Sequence, residues 1–133
     1  TMDAWIEAGG LLNIKSHFII YSEKTLTVEA GGKLKTVSGD ILLRDNAVID
    51  LTGELKIGAG TKLVIDSGAK LIMKPGSRLV IENGAELILE EDGILEFFNG
   101  AEMLTLGEDV DLILQGSIKM MNGGIFGVKR RLN

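Results

Sequence analysis

The chain has no cysteine, and among its 133 residues it has only one histidine, His17, one proline, Pro75, and one tryptophan, Trp5. Without cysteine there is neither a disulfide framework nor thiolate-ligated zinc. A lone imidazole lacks the partners that a metal site or a catalytic triad requires. His17 lies in the apolar run His17-Phe18-Ile19-Ile20-Tyr21 and reads as a strand residue. Aromatic residues make up 5% of the chain, and Tyr21, Phe97, Phe98 and Phe126 are scattered, so a glycan partner finds no row of stacking platforms. A formal net charge of -5 disfavours nucleic acid, which requires clustered Lys and Arg, and the tail Lys129-Arg130-Arg131 is too short to reverse that. No apolar run approaches the roughly 18 residues of a membrane span, so no membrane insertion is expected. The chain opens on Thr1 rather than methionine, which fits a segment of a longer protein.

What is abundant is glycine, 18 residues, about twice the usual frequency. It recurs every eight residues at Gly60, Gly68, Gly76 and Gly84, shifts to Asp92-Gly93, and returns at Gly100. Between these lie GTKLVIDS, GAKLIMKP, GSRLVIEN and GAELILEE, copies of one unit with leucine fixed and the flanking charges varying. Upstream the period shortens to seven, through Gly32, Gly39, Asn46, Gly53 and Gly60, with Asn standing in for glycine at positive φ. Each octad alternates: Leu63 and Ile65, Leu71 and Met73, Leu79 and Ile81, Leu87 and Leu89 share one face of a short strand. The other face runs charge, aliphatic, charge, as in Lys62-Val64-Asp66 and Glu86-Ile88-Glu90.

Such strands either coil in parallel or fold back as hairpins. In Lys74-Pro75-Gly76 the residue before proline is held extended and the glycine is free to take positive φ, which makes a type II bend rather than the primed turn a hairpin prefers. Coiling also stacks like positions on like, whereas hairpins would set aliphatic against charge. The prediction is an all-β, single-stranded parallel β-helix or β-solenoid with three strands per coil. Stacking every third octad sets Lys62 on Glu86 and Arg78 on Glu102 against one like pair, Asp66 with Glu90, and stacking every second octad opposes more like charges. That gives coils of 21 to 24 residues, about four of them, between short terminal caps. The expected division is an N-terminal cap and opening strand at 1-24, a solenoid at 25-127 and a basic tail at 128-133. Trp5, in the stretch Met2 to Ala8, is the expected N-terminal lid, and Ile125 to Leu132 its counterpart.

At the octads, Gly68-Ala69-Lys70-Leu71-Ile72-Met73 and Gly84-Ala85-Glu86-Leu87-Ile88-Leu89, the chain resembles the parallel β-helix repeats of bacterial cell-surface and secreted proteins. The resemblance spans roughly Thr25 to Asn122 and implies the solenoid fold and a surface setting. The eight-residue spacing is also similar to triple-stranded β-helix needles of phage tails and secretion spikes, where three chains each supply one side.

No catalytic residue and no cofactor or metal ligand is assigned. The acidic clusters Glu90-Glu91-Asp92 and Glu108-Asp109 with Asp111 read as solvated corners, since calcium needs six or more converging oxygens. A glycan-active β-helix enzyme would need paired carboxylates along a groove, and no Asp pair recurs at coil spacing. The glycines Gly60, Gly68, Gly76, Gly84 and Gly100 are structural corners. The one pointer to a partner is the outward aliphatic series Val64, Ile72, Val80 and Ile88, continued by Leu104, which is expected to give every face of the prism an apolar centre line. The expected function is a non-enzymatic structural or interaction module, a rigid spacer, adhesion or assembly element of a larger bacterial surface, secreted or fibre protein. Its partners would be protein: other copies, or flanking domains of its parent. The alternatives are a self-assembling filament subunit, cytoskeletal and cytoplasmic or of the trimeric spike type, and a fragment of a glycan-active enzyme.

Overall fold

A computed structural model describes residues 4–131. Among these, every regular element is a strand. The first turn comprises β1 (Ala4–Ile6), β2 (Leu11–Ile14) and β3 (Phe18–Ile20). The second comprises β4 (Thr25–Val28), β5 (Lys33–Thr36) and β6 (Ile41–Leu43), and the third β7 (Val48–Leu51), β8 (Glu54–Ile57) and β9 (Lys62–Ile65). The octads supply β10 (Lys70–Met73), β11 (Arg78–Ile81) and β12 (Glu86–Leu89). Above them lie β13 (Ile94–Phe98), β14 (Glu102–Leu106) and β15 (Asp111–Leu114), and the sixth turn begins with β16 (Ser117–Met121) and β17 (Val128–Arg131).

All pairings are parallel, and they build three sheets. Sheet A runs β1-β4-β7-β10-β13-β16, sheet B β2-β5-β8-β11-β14-β17, and sheet C β3-β6-β9-β12-β15. Along sheet A, Ala4 pairs with Leu26, Leu26 with Ile49, Ile49 with Leu71, Leu71 with Leu95 and Leu95 with Ile118, and over all three sheets a coil takes 21 to 25 residues. The protein is therefore a three-sided parallel β-solenoid. It has about six turns rather than four, because the chain is already coiling at Ala4 and still coiling at Arg131. The stretch expected as a cap carries a whole coil, and the basic tail carries β17, paired to β14. One chain supplies all three sides, which rules out the intertwined spike, where each chain supplies one.

The core is the inward half of each alternation. Leu34, Leu55 and Leu79 stack on sheet B, Ile41, Leu63 and Leu87 on sheet C, and Ile49 and Leu71 on sheet A, all fully buried. Each such side chain contributes about 1.5–3 kcal/mol on leaving water. One polar cluster is enclosed with them, at the corner between sheets B and C. Thr61 Oγ1 donates to the Gly58 carbonyl at 2.6 Å; Thr36 Oγ1 donates to Thr61 Oγ1 at 2.6 Å and accepts the Gly58 N–H at 2.8 Å. Every hydroxyl there is paired, so the cluster closes the corner without an orphan.

The corners are of two kinds. In the wider kind the expected type II bend forms: Ser77 N–H bonds Lys74 O at 3.0 Å and Gly76 has φ 87°. Gly60, Gly68, Gly84 and Gly100 hold the same conformation, and Asn46 and Asp92 adopt it without being glycine. The tighter kind lets one carbonyl accept two successive N–H groups, as Val28 O does from Thr52 and Gly53 at 2.8 and 3.1 Å. The seven-residue series thus mixes two roles. Asn46 and Gly60 are at positive φ, but Gly32, Gly39 and Gly53 are not. A Cβ on Gly39 would run into the backbone carbonyl of Ser16, and one on Gly53 into that of Gly32. Glycine is needed there for closeness, not for φ.

Candidate interaction face

Register separates the outward aliphatic residues onto different sheets. On sheet A the central outward column reads Trp5, Thr27, Asp50, Ile72, Glu96, Lys119, so Ile72 stands alone between carboxylates. Lys70 Nζ lies 3.2 Å from Glu96 and Lys74 Nζ 3.4 Å from Asp50, which closes that face into a charged lattice. On sheet B, Val80 stacks on Leu104 between Lys56 and Lys129, and both aliphatic residues are buried. Beside them Glu102 bridges Arg78 Nε at 2.9 Å and Lys129 Nζ at 2.6 Å. Hydrogen bonds from Lys129 and then Arg78 hold the Glu102 carboxyl below its ordinary value of 4.5.

Sheet C is different. Its central column is Ile19, Leu42, Val64, Ile88, Ile113, aliphatic from the first strand to the last. Four of these are half-buried and Ile113 is 39% exposed. The apolar centre line expected on every face is thus realised on one, because a coil of 24 residues places Val64 and Ile88 in one column and sends Ile72 and Val80 to the others. Ile19, Leu42 and Ile113 lie outside the regular octads, where only the alternation in Phe18-Ile19-Ile20, Ile41-Leu42-Leu43 and Leu112-Ile113-Leu114 marks them.

Two polar columns flank this line. Continuing the register by one residue gives His17, Asp40, Lys62, Glu86, Asp111 on one side and Tyr21, Arg44, Asp66, Glu90, Gln115 on the other. Lys62 stacks on Glu86 as the charge argument required. Only His17 with Asp40, at 3.6 Å, forms an ion pair on this face among the described residues. Arg44, Lys62, Asp66, Glu86 and Glu90 form none, in contrast to the paired charges on sheets A and B.

The ends are apolar as well. Trp5, expected as a buried lid, sits on the outward side of β1 and is 60% exposed, since its neighbours on that rung and the next are Thr27 and the corner rather than a hydrophobic seat. Met2, Asp3 and Leu132, which completed the two expected lids, lie outside the described residues. At the other end Phe126 meets Phe97 edge to face at 5.3 Å, while Ile125 beside it is 81% exposed. Of the eight exposed large apolar side chains among the described residues, all but Val37 and Ile113 belong to the first or last turn.

The surface offers shallow depressions at the corners. One of about 320 Å³ lies along Gly31, Gly53, Gly76 and Arg78, and one of about 300 Å³ along Asp40, Lys62, Glu86 and Asp111. The acidic clusters occupy separate corners, Glu90–Asp92 between sheets C and A and Glu108–Asp111 between sheets B and C. Among the described residues no three carboxylates or imidazoles are grouped to hold a metal. No known protein family matches the chain, and neither does any curated protein.

Proposed function

We propose that this chain is a non-enzymatic structural and interaction module, a rigid spacer or assembly element within a larger bacterial surface, secreted or fibre protein. The observation that carries the reading is the unbroken aliphatic column on sheet C, flanked by charges of which only Asp40, with His17, has an ion-pair partner among the described residues. The solenoid supplies stiffness along one axis, and a side face of this kind supplies lateral contact with other protein. The tight corners leave short walls, which favours contact over catalysis on a substrate held in a cleft.

A second reading is the filament subunit, in a cytoplasmic or extracellular setting. It is favoured by the concentration of exposed apolar side chains on the outermost turns, where strand edges also leave backbone groups to pair. Electron microscopy of purified protein separates the two. A spacer gives discrete particles of uniform length; long fibres growing end on end would replace it with the filament reading. Turnover of a polysaccharide, lost when acidic side chains are removed, would replace both with the glycan-active enzyme.

A further inference from the structure

The geometry points to a specific occupant for sheet C: a second copy of this chain, packed face to face with its long axis reversed. The inference deepens the reading of the chain as an interaction module and rests on it. The aliphatic column fixes which face is used, and the flanking charges fix how two copies meet.

Face-to-face packing about a two-fold axis allows two families of arrangement. With the axis parallel to the solenoid, each storey meets the same storey of the second copy and the flanking columns exchange sides. Asp40 then faces Arg44 and Lys62 faces Asp66, but Glu86 faces Glu90, a like-charged pair that symmetry doubles. With the axis along the strands, storeys meet in reverse order and each column faces itself. Centred on β9, that arrangement sets Lys62 on Lys62 and Asp66 on Asp66. Centred between β6 and β9, it sets Asp40 on Lys62 and Arg44 on Asp66, and symmetry doubles both pairs. Ile19 then lies over Ile88 and Leu42 over Val64, so four of the aliphatic residues stay covered. His17 and Tyr21 meet Glu86 and Glu90, and no like charges meet. This last register is the one the charges select, because it gains both opposite-sign pairs without the Glu86–Glu90 repulsion.

The absence of internal ion pairs at Arg44, Lys62 and Asp66 supports the same conclusion, since no internal opposite charge competes with the partner's, and Asp66 Oδ1 accepts only the Ser67 N–H, at 2.9 Å. Four overlapping storeys about 4.8 Å apart, each about five residues wide, cover roughly 300 Å² on each copy. That is well under the roughly 800 Å² per partner of a standard stable complex, so the dimer is weak and depends on concentration. Copies tethered side by side through a parent protein would make it effective, as linked sites do.

Sedimentation equilibrium over a range of concentrations at low ionic strength tests the inference. The native chain shows reversible dimerisation that weakens with added salt, and Val64→Lys abolishes it while circular dichroism remains that of a β protein. Arg44→Asp alone and Asp66→Arg alone each weaken association at least about tenfold, because each creates two like-charged contacts. Together, Arg44→Asp and Asp66→Arg restore it to within about threefold of the native value. In the parallel arrangement the same double variant would create only repulsion, and Lys62→Asp with Asp66→Lys would be the restoring pair. Restoration by that second pair instead of the first overturns the inference, as does a native chain that stays monomeric at millimolar concentration. A monomer of uniform particles would still leave the spacer reading standing, whereas fibres would remove it, so the two failures are distinguishable.

Discussion

At the scale of single residues, the small residue after each corner glycine tests how the interior handles polar atoms. Thr61, Ala69, Ser77 and Ala85 occupy equivalent places, all buried. Thr61 is satisfied by Gly58 and Thr36, but the Ser77 hydroxyl is buried without a hydrogen-bond partner. Ser77→Ala, the residue already present in two sister octads, is therefore expected to be neutral or to stabilise by up to about 1 kcal/mol in urea unfolding. Glycines divide just as sharply. A Cβ on Gly76 would meet nothing within 4 Å, so Gly76→Ala carries only the backbone strain of φ 87°, about 1–2 kcal/mol. Gly39→Ala adds a collision with the Ser16 carbonyl and is expected to destabilise by clearly more than that, ~3 kcal/mol or greater. Equal midpoints for the two variants in the same unfolding assay would refute the distinction between the two kinds of corner.

At the scale of elements, β17 shows how a strand at the end of a stack is held. It has one ladder partner, β14, and its outward Lys129 is tied to Glu102, which is tied in turn to Arg78 on β11. The folded Glu102 titrates below its unfolded value, so its contribution is complete above pH 4.5 and disappears as pH falls through the lower folded value. Measured against the intrinsic rate at each pH, amide exchange at β17 is accordingly expected to lose protection as pH falls below 4.5, before the central strands respond. Glu102→Gln should produce the faster exchange at neutral pH and remove its acid dependence, at a cost of about 0.5–1 kcal/mol because the partners are largely solvated. An unchanged acid response in that variant would show that another group governs the end strand.

At the scale of the whole molecule, function depends on which outward residues end up above one another. Ordinary exposed strands carry isolated aliphatics, as Ile72 does on sheet A. On sheet C the coil length brings five into line, and apart from His17 with Asp40 the described residues of that face form none of the internal ion pairs that knit the other two. Exposed inward-side residues of the end turns, Leu12 over Leu34 and Met120 over Phe97, form a separate surface, across the stack rather than along it. Lateral and axial contacts are thus built from different residues, so substitution at Val64 separates them: fibres that persist in Val64→Lys would have to grow through the ends.

The amino-acid sequence by itself determined the strand length, the inward and outward alternation, the type II corners and the three-fold division of the coil. All of these are local, or follow from like positions stacking on like, and glycine spacing, Pro75 and the signs of Lys62, Glu86, Arg78 and Glu102 record them directly. Only the tertiary structure decided how far the coil extends and which aliphatics share a face. Outside the octads the corners vary between a turn at positive φ and a tighter bend, and each one-residue difference changes which strand meets which. Sequence periodicity loses that register where the corners change, whereas the ladder hydrogen bonds keep it, and the column on sheet C exists because they do.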